Sequence, residues 1–190
     1  MKKAITLLLV LLLLLGLCAC TYGNTAEEGS FTILYGSWFP LPFPRNPEGT
    51  CVSRYTWDGD EGNTDIVIPD EYASRTIRKL GGYFGRGLPC PFDIDVTSWM
   101  GLSGGIAVPY DSSDWDEIVY HDFDLYLSKE IDGITGHPCA IVFTVDGVKT
   151  AYCPRVTVHC DEDNETFYSR DGRLYFRKTD ELVEEFVYSS

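Results

Sequence analysis

The side chains able to hold a soft metal or attack a carbonyl gather late in the chain: His137-Pro138-Cys139, then Cys153, then His159-Cys160. Zinc prefers thiolate and imidazole, and a structural zinc site presents them as two close pairs, each two to four residues apart. That double pairing is missing, and His159 and Cys160, as neighbours on an extended strand, project to opposite faces. A nucleophilic cysteine using His121, His137 or His159 as its base would be assembled only in space, and no local signature announces one. The acidic runs Asp58-Gly59-Asp60-Glu61-Gly62, Asp111 to Glu117 and Asp161-Glu162-Asp163-Asn164 supply the oxygen ligands that calcium takes. None closes like a calcium loop: the first leaves the EF-hand order after its second acid and lacks the final glutamate. They read as solvated turns. Gly101-Leu102-Ser103-Gly104-Gly105 is not a nucleophile elbow, and Gly81 to Gly87 lacks the spacing of a phosphate cradle. The residues therefore imply no catalytic constellation, no metal and no cofactor.

The elements that carry these residues read as strands. From Arg54 onward, short runs of β-branched and aromatic residues alternate with Asp, Gly and Asn clusters. Strands are predicted at Tyr55 to Trp57, Ile66 to Pro69, Asp124 to Leu127, Ala140 to Val145 and Val156 to Cys160, with Thr166 to Ser169 facing Arg173 to Phe176. Asp146-Gly147 and Asp171-Gly172 are predicted hairpin turns, because both residue types tolerate positive φ. Asp70 to Leu80 and Asp180 to Phe186 could each form a helical turn or two, without a long apolar stripe. Phe39 to Pro47 carries alternate prolines and excludes a helix; its interleaved Phe39, Leu41 and Phe43 suit packing on the edge of the domain.

The N-terminus sets the compartment. Met1-Lys2-Lys3 is followed by an apolar stretch from Ala4 to Leu17, shorter than the roughly 20 residues a spanning helix needs. Its end, Leu17-Cys18-Ala19-Cys20, resembles the lipobox of bacterial lipoproteins. The resemblance implies a signal peptide over 1–19, a diacylglycerol thioether on Cys20, and an extracytoplasmic protein anchored to a bacterial membrane by that lipid. Residues 20–30 are small and polar, suited to a flexible tether, and 31–190 would form a single β-rich extracytoplasmic domain.

Loss of Lys2 and Lys3 with the leader would take the formal charge from −14 to −16. The remaining nine arginines and four lysines are scattered among 29 acids, so a nucleic-acid partner is excluded and an anionic lipid surface is disfavoured. The acidity suits solubility. Cys51, Cys90, Cys139, Cys153 and Cys160 are odd in number, and spacing leaves their pairing open.

Three stretches carry a second resemblance. Tyr55-Thr56-Trp57-Asp58-Gly59 with Ile66-Val67-Ile68-Pro69-Asp70 and Ile77-Arg78-Lys79-Leu80-Gly81 is similar to a unit of the BspA-like leucine-rich-repeat surface proteins. Leu125 to Ile134 resembles a second rung. Val156-Thr157-Val158, Asp163 to Phe176 and Glu181-Leu182-Val183 resemble a third, with the family's Asn-x-x-aromatic-x-Ser-x-Asp-Gly-x-Leu-Tyr hairpin. The implied fold is mainly β: a degenerate leucine-rich-repeat-like β-solenoid of few rungs with hairpin inserts, a compact β domain being the alternative. Ile66, Ile68, Leu125, Leu127, Val156 and Val158 would point inward and stack from turn to turn. The resemblance implies a non-catalytic binding or adhesion module, with an extracellular protein or glycan as partner. The alternative is a secreted hydrolase with a Cys-His or carboxylate site. Among the tryptophans Trp38, Trp57, Trp99 and Trp115, the last two lie outside the repeat-like parts and are the first candidates for a binding patch.

Overall fold

A computed structural model describes residues 24–35, 50–84, 88–90, 92–102, 104–109, 115–135 and 139–183. The lipobox-like Leu17-Cys18-Ala19-Cys20, the proline-rich run with Trp38, and His137 lie outside them. In chain order the strands are β1 (Asn24–Glu28), β2 (Phe31–Tyr35), β3 (Thr50–Thr56), β4 (Asp65–Val67), β5 (Glu71–Tyr72), β6 (Arg75–Leu80), β7 (Gly82–Phe84), β8 (Leu88–Cys90), β9 (Asp93–Asp95), β10 (Ile106–Pro109), β11 (Glu117–Leu127), β12 (Gly133–Ile134), β13 (Cys139–Val145), β14 (Val148–Cys160), β15 (Phe167–Arg170) and β16 (Arg173–Phe176). One short 3-10 turn covers Ser98–Met100, and no α-helix occurs among the described residues.

The local chemistry explains the turns. Asp146-Gly147 joins β13 to β14 and Asp171-Gly172 joins β15 to β16, all four residues at positive φ, which lets a two-residue loop follow the twist of its strands. Ala73 and Ser74 adopt the same left-handed conformation, φ 48° and 59°, and fold Glu71–Leu80 into the β5–β6 hairpin. The short helix expected there is thus replaced by a hairpin. Ile77 and Leu80 are fully buried while Arg75, Thr76 and Arg78 are exposed; regular alternation would set residues three apart on opposite faces, and the register shift that pairs Thr50 with Ile77 but Cys51 with Lys79 brings both to the core. Asn24–Glu28, within the expected tether, pairs antiparallel with β2 across the Gly29-Ser30 turn.

Two larger sheets follow. The first has the order β1-β2-β3-β6-β12, with β9 also on β3 and β5 on β6; its β3, β6 and β12 run parallel, and Val52, Leu80 and Ile134 lie in one register row. The second has the order β10-β13-β14-β11-β4. Its β4, β11 and β14 are parallel, and Ile66, Leu125 and Val158 stand opposite one another. The Ile68 amide donates to the Tyr126 carbonyl (3.2 Å), and the Asp161 amide to the Leu127 carbonyl (3.0 Å), carrying both pairings past the strand ends.

Ile66, Ile68, Leu125, Leu127 and Val158 belong to one buried cluster that also takes in Val52, Ile77 and Leu80 of the first sheet, and half-buried Val156 packs against it. The core therefore lies between the two sheets. Full burial of an aliphatic side chain contributes about 2 kcal/mol. Because parallel strands in register bring equivalent positions together, a change at Leu125 is felt by both neighbours.

The third repeat-like stretch is tied down by Asn164, only 1% exposed. Its amide nitrogen donates to the carbonyls of Ser128 (3.0 Å) and Ile131 (2.8 Å), and its side-chain oxygen accepts from the amides of Thr166 (2.9 Å) and Phe167 (2.7 Å). Arg177 adds donations to the carbonyls of Asn164, Glu162 and Phe167. These bonds hold the β15–β16 hairpin against β14, where the Val158 amide donates to the Gly172 carbonyl (2.8 Å) and the Cys160 amide to Ser169 Oγ (3.0 Å).

Candidate functional site

Strand alternation sends every second residue of β4, β11 and β14 away from the core, and those residues form an outer face. On β11 they are Tyr120, Asp122, Asp124 and Tyr126; on β14, Arg155, Thr157 and His159; on β4, Asp65 and Val67. Register sets them in rows. Val67, Tyr126 and His159 make one, Asp65, Asp124 and Thr157 the next, and Asp122 with Arg155 the third.

The first and third rows are chemically coupled. Arg155 grips Asp122 through two donations, Nε to Oδ1 and a terminal nitrogen to Oδ2, both 2.6 Å, and its guanidinium lies 4.8 Å from the centre of the Tyr120 ring. That fork fits a carboxylate in a way an ammonium cannot. Its hydrogen bond holds the Asp122 carboxyl below its ordinary range and raises the Arg155 guanidinium. Further along, His159 Nε2 meets Asp124 Oδ1 at 2.6 Å while its ring stacks on Tyr126, centroids 4.7 Å apart and planes 15° from parallel. Desolvation, with the charges of Asp65 and Asp124 adding to it, raises the Tyr126 hydroxyl. Val67 is 62% exposed and Tyr126 38%, so the row offers an aromatic and aliphatic surface directly to solvent.

A second exposed face belongs to the β15–β16 hairpin. Its alternation buries Phe167 and Leu174 and leaves Tyr168, Arg170, Arg173 and Tyr175 on the other side. The Tyr168 and Tyr175 rings stack at 5.5 Å, and the Arg170 guanidinium sits 4.3 Å from the centre of Tyr175. Asp180 accepts from the Tyr168 hydroxyl and, at 3.4 Å, from Arg170. The hairpin turn abuts Thr157, for a Cβ on Gly172 would stand 3.0 Å from Thr157 Cγ2. A shallow depression of about 420 Å³ beside the hairpin is lined by Glu165, Thr166, Phe176, Lys178, Thr179 and Glu181.

The residues singled out from sequence are dispersed. Trp57 is 2% exposed and belongs to the core, where His121 packs on its ring at 4.8 Å. Burial lowers the His121 imidazole, and its Nε2 has no hydrogen-bond partner. Trp99 is 49% exposed; it donates to the Val96 carbonyl and covers Gly59, where any Cβ would come within 2.7 Å of the indole. Trp115 packs against buried Ala140, Val142, Ala151 and Cys153. Burial pushes the Cys153 and Cys160 thiols up to about 11, the opposite of what an attacking thiolate needs. His159 turns outward to Asp124 while Cys160 packs on the core, so the two do not meet. The acidic turns bond to themselves: Asp58 Oδ1 accepts the Asp60 amide, Asp60 Oδ1 the Gly62 amide and Asp161 Oδ1 the Asp163 amide. No group of metal-ligating side chains assembles among the described residues.

Sequence reasoning passed over Tyr120, Asp122, Tyr126, Arg155 and Arg170. The signal was present as Tyr-x-Asp-x-Asp-x-Tyr interleaved with Phe123 and Leu125, a polar alternation in which only the apolar half was read. No family model, curated protein or solved structure matches the chain.

Proposed function

We propose that the chain is a lipid-anchored, extracytoplasmic binding module that recognises its ligand on a sheet face rather than turning it over in a cleft. The observation that carries this reading is the outer face of β4, β11 and β14, where Val67 and the stacked Tyr126 and His159 form an exposed row beside the Arg155–Asp122 ion pair and the His159–Asp124 contact. Rigid strands supply that row without a loop having to close, which limits the ordering a ligand must impose. The Arg155–Asp122 fork and the His159–Asp124 contact fix their side chains in place, so donors and acceptors are laid out beforehand.

The same reading takes the fold as a degenerate leucine-rich-repeat-like coil of few rungs. Its support is register: Ile66, Leu125 and Val158 align on one face, and Lys79 with Gly133 and Leu80 with Ile134 align in parallel on the other. The anchoring half rests on the lipobox-like Leu17-Cys18-Ala19-Cys20.

Two measurements test the two halves. Labelling of growing cells with an alkyne-bearing fatty acid should mark the wild-type chain and leave Cys20→Ala unmarked; equal labelling of both would end the anchoring proposal. On an array of glycans and extracellular-matrix proteins, the ligand bound by the wild type should be weakened at least tenfold by Tyr126→Ala or Arg155→Ala. Retention of full binding by both variants would remove this face from the function.

A further inference from the structure

The chain is strongly acidic, yet Arg170, Arg173, Arg177 and Lys178, four of its fifteen basic residues, fall within nine positions where Asp171 is the only acid. The hairpin sets two of them side by side. Arg170 and Arg173 are directly opposed across β15 and β16, and like charges so placed oppose pairing. Tyr168 and Tyr175 are opposed two residues further along on the same face, so stacked phenols adjoin a guanidinium pair. Arg170 is held by its stack on Tyr175 and its contact with Asp180, although it remains 49% exposed. Those contacts leave it further N–H donors from its set of five. Arg173 is exposed.

From this arrangement we propose that the outer face of the β15–β16 hairpin binds an anionic glycan, its acid groups taken by Arg170 and Arg173 and its sugar rings laid against Tyr168 and Tyr175. The assignment rests on the binding-module reading above and names a ligand class for it. Arginine matches planar acid groups in pairs, and an amphipathic aromatic face accepts the C–H side of a pyranose. Charges are screened beyond about 8 Å at physiological salt, so a flexible polymer in contact with the ribbon meets the ribbon's own charge rather than the charge of the whole chain. Within the ribbon, Asp171 and Asp180 offset part of the cationic cluster and leave Arg173, across from Arg170, unopposed by an acid. A bilayer or a DNA duplex presents continuous negative charge over a larger area and would face the acidic remainder of the domain. The thin polymer is favoured for that reason.

The test uses the full chain in detergent micelles, with polygalacturonate as the acidic polymer and dextran as its neutral counterpart, read by biolayer interferometry. Polygalacturonate should bind and dextran should not, with affinity falling at least tenfold between 50 and 300 mM NaCl. Arg170→Gln with Arg173→Gln should weaken binding at least tenfold. Tyr168→Ala with Tyr175→Ala should weaken it without altering the salt dependence. If either double variant loses its native circular dichroism, Arg173→Gln alone, at an exposed position, should still weaken binding about threefold. Absence of polygalacturonate binding by the wild type, undiminished binding by the arginine variants, or tighter binding to duplex DNA or phosphatidylglycerol vesicles overturns the assignment. Should Tyr126→Ala abolish an array ligand while polygalacturonate is not bound, the hairpin assignment falls and the module reading stands.

Discussion

At the scale of single residues, Asn164 does more for the architecture than any other polar side chain described. Its four hydrogen bonds join the loop after β11 to the start of β15, and each would be left open in the interior by truncation. Buried groups that lose their partners cost about 1–3 kcal/mol each. Asn164→Ala should therefore destabilise the protein by about 3 kcal/mol or more, read as a lower urea midpoint in equilibrium unfolding. The cysteines give a second prediction. With Cys153 and Cys160 raised to about 11, the folded state keeps protons that the unfolded chain releases near 9. Stability from these groups is intact below pH 9 and declines as pH climbs from 9 towards 11. Iodoacetamide at pH 7.5 should leave both thiols unmodified in the native protein and alkylate them once urea is added, as peptide mass spectrometry would record. The asparagine was visible in the sequence as part of a hairpin motif, but its burial was not, because the Ser128 and Ile131 carbonyls it satisfies lie more than thirty residues away.

At the scale of elements, the turns separate what local chemistry encodes from what packing imposes. Asp146-Gly147 and Asp171-Gly172 are written in residues that accept positive φ, and both hairpins were legible. Ala73-Ser74 is not, and Asp70 to Leu80 reads as room for a helical turn or two, without a long apolar stripe. The pull of Ile77 and Leu80 into the core holds the hairpin despite two L-residues in a left-handed conformation. That conformation costs about 1–2 kcal/mol per residue. Ser74→Gly should accordingly raise stability by about 1 kcal/mol, measured as a higher thermal midpoint, with the array ligand bound as before. The long strands β11 and β14 extend well N-terminal of Asp124 and Val156, where expectation had started them. The early half of β11, Glu117-Ile118-Val119-Tyr120, lacks the buried alternation of its later half, whereas the early half of β14 buries Ala151 and Cys153 against Ala140 and Val142.

At the scale of the whole molecule, acidity and layering act together. A formal charge of −14 on the chain repels itself, and screening relieves the repulsion. Raising NaCl from 10 to 300 mM should increase the thermal midpoint by a few degrees even though the exposed Arg155–Asp122 and Arg78–Asp132 pairs weaken, since exposed pairs contribute only about 0–1 kcal/mol. A fall in the midpoint over that range would mean that the pairs outweigh the net charge. The sequence by itself determined that the chain is mainly β and where the β13–β14 and β15–β16 hairpins turn, because these follow from alternation and turn chemistry over a few residues, whereas one interior shared by Ile66, Ile68, Leu125, Leu127 and Val158 was an expectation of the repeat-like resemblance. Which strands become neighbours, that β4, β11 and β14 run parallel in register, and that Tyr126 meets His159 and Arg155 meets Asp122 were decided only in three dimensions. Such contacts join positions more than thirty residues apart, and a linear pattern fixes which way a side chain faces without fixing what it faces.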